Sequence, residues 1–458
     1  MQTWDHPQID FWTAALPDEL WRLPEELAQV DRFLDDPAML APLAGVLDPH
    51  RGRPSLPVAQ VLRFFYLQHR YQLSDRVVVQ EVADSFHWRR FCHLGVTDPV
   101  PHRTSLTKWR HRLGPEGIAA VNAAVIARLQ TAKVVRGRRF RIDSTVTDAD
   151  IHHPTDSGLL ADGIRRLTRV ARQVQAVLPA AGPRIRARAR AVKHRILAIG
   201  KLLRRRTGDA VTQVRQITEE LAQLGAAQLR TVHRVAAAVD TAVAAVGAAV
   251  PTTLRRAQQR LTTARAQLTT VIAQSRAATA GERIPDRVVS CADPDARPLK
   301  KGKLGQPVQF GYKVQVWEAE GGFVTGYTVA QGNPADVEAL IPALDQHHTQ
   351  FGRDPAIVAT DRGYDSAANQ QACRDRPIRT VAIPKRGKKS AARQREEHRP
   401  AFRRAQRWRA GGEGTISRLK RKYGLRRSRY RGHDRVTTGV GLGVFAHNVH
   451  RYSRRMAR

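Results

Sequence analysis

Hydrophobic positions recur along this chain with two different spacings, one helical and one alternating. From Ser55 onward the spacing is helical. In VAQVLRFFYLQHRYQL, Val58, Val61, Leu62, Phe65 and Leu67 fall near one face. Ser74 stands where an N-cap belongs, ahead of DRVVVQEVADSFHWRRF. After the Pro-bounded turn TDPVPH, Thr104 or Ser105 is expected to cap a helix over LTKWRHRL. There Leu106, Trp109 and Leu113 share a face, while Lys108, Arg110, His111 and Arg112 lie mostly off it. A short helix of this kind, following a helix and a turn, suits a helix-turn-helix reader of DNA, and equally a surface helix packed on a bundle. Residues 1–50 are Pro-spaced and predict a few short amphipathic helices.

Residues 134–148 read as a strand with Asp143 near its end. Strand signals return at VVSCAD (288–293) and in FGYKVQVWEAEGGFVTGYTVA, a hairpin alternating on both sides of Gly321-Gly322. A helix over 335–351, a buried strand over 356–360 ending at Asp361, a helix over 366–375 and a strand over 381–384 follow. KRGKKSAARQREEHR reads as a loop, helical spacing resumes near Arg407, and a last helix covers 436–452. Strands and helices in this order give an α/β layer pattern around a mixed sheet, where ligands gather at strand ends.

Between these halves, residues 157–285 contain no Phe, Trp or Tyr and hold 23 Lys+Arg against 6 Asp+Glu. Ala, Arg, Leu and Gln dominate, all good helix formers. Pro179, Pro183, Gly208 and Pro251 mark breaks, so three or four helices are expected. Such a segment suits DNA contact, self-association or a solvated arm.

Charge sharpens the picture. With 77 Lys+Arg against 41 Asp+Glu, the formal net charge is +36. Part of that excess reflects general Arg and Ala usage, but the basic residues crowd into particular segments. A polyanionic partner is expected, with salt-dependent binding through phosphates. Cys92, Cys291 and Cys373 are far apart and lack zinc or disulfide spacing. The N-terminus lacks a signal-peptide pattern, and the Ala/Val-rich stretch 235–250 contains Asp240 and is too short for a bilayer, so no membrane association and a cytoplasmic location are expected.

Three carboxylates then stand out: Asp143 in RRFRIDSTVTDAD, Asp361 in VATDRGYDS and Glu413 in RWRAGGEGTISRLKRKYG. Hard divalent cations prefer oxygen ligands, and paired metals clamp both oxygens of a phosphoryl transfer. Arg409, Glu413 and Lys420 follow R-x₃-E-x₆-K, whose offsets put all three broadly on one helix face. The same spacing also describes an ordinary surface Arg–Glu pair. Lys385 and Arg386 begin a basic run suited to DNA backbone contact, like the runs 418–422 and 426–431. His152 and His153, with Asp148, Asp150 and Asp156, offer either metal ligands or DNA contacts and turn caps. Asp365 is expected in an Asx turn or cap, and Trp408 in the core or against a base.

IDST, GKLGQPVQFGYKV, QGNPAD, ATDRGYDS, IPKRG, RWRAGGEGTISRLKRKYGL and YRGHD together resemble the DDE transposases of bacterial insertion sequences, closest to the ISNCY-like group. RPSLPVAQVLRFFYLQ, LSDR and VPHRTSLTKWR resemble the helical N-terminal domain of the same family. The resemblance implies an α/β ribonuclease-H-like catalytic domain with a mixed sheet, interrupted by a large all-α insertion, plus an all-α N-terminal domain. It implies Asp143, Asp361 and Glu413 as catalytic and metal-binding residues for two Mg²⁺ or Mn²⁺ ions. Arg409, Lys420, Lys108, Arg110, Arg112, Lys385 and Arg386 are the expected DNA-binding residues. Double-stranded DNA, both terminal inverted repeats and target, would be the partner, met by a homodimer or higher oligomer. A catalytically silent DNA-binding derivative and a nuclease without strand transfer are the alternatives.

The expected divisions are 1–50, a helical lead-in; 51–133, DNA-binding; 134–156 with 286–424, catalytic; 157–285, the insertion; and 425–458, a basic helical tail. Two departures stand out. Gln406 occupies a position where the wider signature has Tyr, and Gly411, Gly412 and Gly414 around Glu413 suggest a helix start there, with close DNA approach favouring small residues.

Overall fold

The computed structural model describes residues 11–456 apart from 47, 49, 53, 206–207, 247–250 and 304–305. Two compact units result, one formed by Met1–Asp150 with Leu299–Arg458 and one by Ile151–Pro298.

The first unit opens with short helices α1 (Phe11–Ala14), α2 (Asp18–Trp21), α3 (Glu25–Leu34) and α4 (Pro37–Leu40). Helices α5 (Val58–Arg70), α6 (Asp75–Asp84), α7 (Phe86–Phe91) and α8 (Arg103–Thr131) follow. Ser74 caps α6 as expected, its side chain accepting from the Val77 amide. At α8 the cap is instead His102, accepting from the Thr104 amide, and the helix runs far past LTKWRHRL. Gly114 (φ 58°) followed by Pro115 kinks it rather than ending it. Leu106, Trp109 and Leu113 are buried as the spacing predicts.

Strand β1 (Arg139–Asp148) then enters the sheet. The second unit contains α9 (Asp156–Val177), α10 (Ala189–Arg205), α11 (Ala210–Val246) and α12 (Thr252–Thr279). With no aromatic available, its core is built from Leu160, Ile164, Leu167, Val192, Leu221, Val232, Val235, Leu261, Leu268 and their neighbours. It is therefore a packed bundle rather than a solvated arm. VVSCAD forms no strand: Cys291 is buried in that bundle's core.

Back in the first unit come β2 (Arg297–Lys303), β3 (Gln306–Glu318), β4 (Val324–Ala330), α13 (Leu340–Phe351), β5 (Ile357–Ala359), α14 (Ala367–Arg374), β6 (Thr380–Ala382), α15 (Ala391–His398), α16 (Pro400–Lys422) and α17 (His433–Met456). The sheet order is β2-β3-β1-β5-β6, with β4 also paired to β3. β1 is antiparallel to β3 and parallel to β5, which is parallel to β6, so the sheet is mixed as expected. Phe140, Ile142, Trp317, Leu340, Leu344, Val358, Tyr364 and Ile383 form the core against α13 and α14.

One expectation fails here. Part of the stretch expected as a loop is α15, capped by Ser390 accepting from the Arg393 amide. The basic helical segment expected after residue 425 is a helix, and it is more than a surface tail. α17 is buried over most of its length, including Leu442, Val444, Phe445, Ala446, Asn448 and Val449, and packs on α3, α5, α8 and β4. Its small and apolar residues give it that role; charge returns only in its last turns.

Candidate active site

The parallel pairing of β1 with β5 sets Phe140 beside Val358 and Arg141 beside Ala359. Continued by two residues, that register sets Asp143 beside Asp361. Asp143 thus lies within β1, and Asp361 lies two residues past the last residue of β5. Asp143 is part-buried, and its Oδ1 accepts from the Ser144 amide at 2.8 Å. Asp361 caps a short 3₁₀ turn, its Oδ1 accepting from the Gly363 amide at 2.8 Å.

Glu413 comes from α16, well inside the helix rather than at its start. Its side chain is 70% exposed. Arg409 joins it to the sheet: Nη2 lies 3.5 Å from Glu413 and Nη1 lies 3.8 Å from Asp143. One guanidinium thus spans two of the three carboxylates.

Two of the neighbouring glycines, Gly411 and Gly412, have a structural cause within the protein. Arg141, on β1, runs beneath α16. Its Nη2 donates to Glu318 at 2.6 Å and its Nη1 to the Trp408 carbonyl at 2.5 Å, and its guanidinium lies 4.8 Å from the Trp408 ring centroid. Thr415 Oγ1 donates to the same Glu318 carboxylate at 3.0 Å. A Cβ on Gly411 or Gly412 would approach the Arg141 side chain to 3.0 or 3.3 Å. The glycines make room for a buried ion pair that fixes α16 on the sheet. Burial holds the Glu318 carboxyl above its ordinary range, against the pull of Arg141. Trp408 accordingly serves as the lid on Arg141.

Gln406, at the departing position, has its own task. Its amide donates to the Thr360 carbonyl at 3.0 Å and the Ala382 carbonyl at 2.6 Å, tying α16 to the ends of β5 and β6 immediately before Asp361.

A fourth carboxylate, Asp336, was not singled out from the sequence. Its Oδ1 is held by Lys313 Nζ at 2.9 Å and Gln315 Nε2 at 2.6 Å. The position of a Cβ on Gly363 would lie 2.9 Å from Asp361 Oδ1 and 3.6 Å from Asp336 Oδ2, so the missing side chain leaves open space between the two acids. The buried Tyr364 hydroxyl feels Asp336, Asp143 and Asp361 together. Burial first, and then these three charges, push its pKa well above the ordinary value. The QGNPAD motif carried the only sequence signal: an acid directly after the hairpin.

The expected basic residues divide. Lys108, Arg112, Lys385 and Arg386 are exposed, and Lys420 is half-buried. Arg110 corrects the expectation of DNA contact. It is buried, donates to Asp75 and to Gln68 (3.0 Å), and stacks over Tyr430 (5.3 Å). The 384–388 loop is anchored by Asp365, whose Oδ2 accepts from the Arg386 amide at 2.8 Å. Ser366 rather than Asp365 caps the next helix.

The acids near His152 and His153 are engaged by other groups. Asp150 pairs with Arg427 at 2.7 Å, Asp156 with Arg287 at 2.5 Å, and Asp148 accepts from Gln309 at 3.3 Å. Among the described residues, the one group of three candidate ligands whose atoms all lie within 4.8 Å of one another is Asp31, Asp35 and His93, not the Asp143, Asp361 and Glu413 set. There the fully buried Arg63 occupies both carboxylates, at 2.9 and 2.5 Å, so charge neutralisation accounts for the cluster.

Asp143, Asp361, Asp336 and Glu413 offer only carboxylate oxygen, the ligand chemistry of hard divalent cations, and so fit such an ion. Among the described residues, no helix is long and apolar enough to cross a membrane.

Comparison with known proteins gives a transposase domain (DUF772) over residues 18–112 and a transposase DDE domain over residues 287–449. The uncharacterized protein ORF8 in the nfe locus of Rhizobium meliloti is 31% identical over 163 residues, which is 32% of this chain and 78% of that protein. No solved structure matches the chain. The two matched segments lie on either side of β1 and most of the helical bundle in sequence, and the second contains Asp361, just after β5, and Glu413, within α16. The chain belongs to the DDE transposases of the insertion-sequence type.

Proposed function

We propose that the enzyme cuts DNA at the ends of its element and joins the freed 3′-hydroxyl to target DNA, with Asp143, Asp361 and Glu413 as its catalytic carboxylates. What supports this reading is the parallel pairing of β1 with β5, whose register continued by two residues brings Asp361 level with Asp143, and the Arg409 guanidinium between Asp143 and Glu413. DDE transposases depend on a divalent metal ion. Two Mg²⁺ or Mn²⁺ ions held by the triad, with Asp336 supporting Asp361, are proposed here. When bound, they supply Lewis acidity and charge neutralisation at the scissile phosphate.

The chain's own residues position the DNA. Arg409 is held only loosely by its two carboxylates, and its Nε has no protein partner among the described residues. Its fork is thus free to turn to a phosphate. Lys420, Lys385 and Arg386 extend that cationic rim, and Lys108 and Arg112 offer backbone contacts from the N-terminal helices. In the first step water attacks phosphorus at the element end, and the 3′-hydroxyl leaves. In the second, that hydroxyl attacks a target phosphodiester, so one P–O bond forms as another breaks. Two copies acting on two element ends are proposed as the working assembly.

The test uses full-length protein, Mg²⁺ and a duplex carrying the element's terminal repeat. Wild type should cleave and Asp361→Asn should not, while still binding the duplex. Equal cleavage by the variant would refute the triad. Pre-cut ends with a free 3′-hydroxyl should yield joined product; hydrolysis alone would reduce the enzyme to a nuclease.

A further inference from the structure

Beside the first residues of β1, the 320–322 turn, α16 and the last turns of α17 enclose a cavity of about 410 Å³. Four arginines line it: Arg418, Arg451, Arg454 and Arg455. Among the described residues none of the four has a carboxylate at ion-pair distance. The nearby acids are already engaged. Glu318 holds Arg141 and Thr415, and Glu26 holds Arg70 at 2.9 Å and His450 at 3.2 Å.

Arg451 is built into the wall. Its Nε donates to the Gly321 carbonyl, and its guanidinium lies 5.7 Å from the Phe323 ring centroid. Gly322, with φ of 71°, passes so close that a Cβ would meet the guanidinium at 3.0 Å. The turn is thus shaped around this cation. Burial and the neighbouring Arg418 together depress the Arg451 pKa, only partly opposed by the Glu318 carboxylate, which Arg141 already holds. A half-buried guanidinium beside other cations is costly unless an anion joins them. His447 also lines the cavity, and at 1% exposed it donates through Nε2 to the Gly322 carbonyl at 3.2 Å, which fixes the turn that forms one wall.

The cavity is separate from the carboxylate site. Along α16, Arg418 lies five residues past Glu413, roughly 140° around the helix at about 100° per residue. The turn lies beyond Glu318 in the hairpin, whereas Asp361 lies past the other end of β5.

We propose that this four-arginine cavity seats a backbone phosphate of double-stranded DNA, as a contact remote from the cut. The inference rests on DNA being the substrate and not on the triad assignment. The ligand chemistry is a phosphate diester; a free phosphate or nucleotide is the competing source.

The test measures binding of full-length protein to a terminal-repeat duplex by fluorescence anisotropy across a salt series. Arg454→Ala/Arg455→Ala removes two exposed cations without disturbing the core. Its slope of log affinity against log salt should fall by about 1–2, as expected for one or two lost phosphate contacts, with at least ~tenfold weaker binding at low salt. Arg454→Lys/Arg455→Lys should largely restore both. Arg22→Ala/Arg32→Ala, an equal charge loss on exposed positions elsewhere, should leave the slope unchanged.

An unchanged slope in the cavity variant, or an equal change in the control pair, overturns the proposal. So does stabilisation of wild type, but not of the variant, by inorganic phosphate or ATP with duplex affinity unmoved. Failure of wild type to bind the duplex at all would count against the proposed function instead.

Discussion

Replacing Glu318 by Leu tests whether the buried pair beneath α16 is what holds that helix. Glu318 is 3% exposed and accepts from Arg141, itself 7% exposed, and from Thr415. Glu318→Leu leaves the guanidinium buried without its counter-charge, at a cost of about 3–5 kcal/mol. The Thr415 hydroxyl loses its acceptor, adding about 1 kcal/mol. The total, roughly 4–6 kcal/mol, is a large share of the ~5–15 kcal/mol that stabilises a folded domain. At about 2 °C per kcal/mol for a unit of this size, the midpoint should fall roughly 8–12 °C. Arg141→Met/Glu318→Leu replaces the pair with apolar groups of similar volume and should recover most of that loss. Tryptophan fluorescence during urea unfolding is the assay, because every tryptophan lies outside 151–298 and the signal reports one unit alone. Cleavage should stay low in the stable double variant, since nothing then ties Trp408 and Thr415 to the sheet. The reasoning is refuted if Glu318→Leu costs under ~1 kcal/mol, or if the double variant costs the sum of its two singles.

Gly412→Val pushes a branched side chain onto Arg141 and should cost about 1–3 kcal/mol by overpacking despite a better helix former, read in the same unfolding assay. Asp336→Asn should weaken Mn²⁺ binding about 10–100-fold, measured by calorimetry on DNA-free protein; unchanged binding would remove Asp336 from the site. Glu26 is lowered from 4.5 to about 2: burial alone would raise it, but hydrogen bonds from His450 and Arg70 outweigh that. A depressed acid contributes stability above pH 4.5 that is lost as pH falls toward 2, so wild type should lose about 2 kcal/mol across that window and Glu26→Gln should show a flatter profile. Deleting the 157–285 bundle should weaken DNA binding or assembly and leave Mn²⁺ binding intact, as native mass spectrometry and calorimetry would show.

What the sequence made legible was local. Alternation marked β3 and β4 and apolar runs marked β1 and β5; Asp361 follows the end of β5 as expected, whereas Asp143, expected near a strand end, lies mid-strand because β1 starts at Arg139 and runs on to Asp148. Glu413 was legible as a residue but not as a mid-helix one, because three glycines look like a helix boundary. For Gly411 and Gly412 the cause is Arg141, some 270 positions away in sequence, which reaches them only through the sheet; a Cβ on Gly414 would meet nothing within 4 Å. Arg110 looked like a surface cation for the same reason: its partner Asp75 belongs to another helix. RPLKKGK, too charged to read as a strand, becomes β2 by pairing with β3, while the more apolar VVSCAD serves the bundle instead. Asp336 had no pattern of its own, since a loop acid gains meaning only from what faces it.

The position of α17 has a consequence for the order of synthesis. The N-terminal helices α3, α5 and α8 and the hairpin strand β4 all pack on a helix made some three hundred residues after α8. Domains generally fold as their residues emerge from the ribosome. Here the first unit cannot bury its core until 433–456 has been translated. A chain broken off before residue 433 is therefore left with an open core and is not a partly active enzyme, so synthesis of α17 acts as a checkpoint on folding of the first unit.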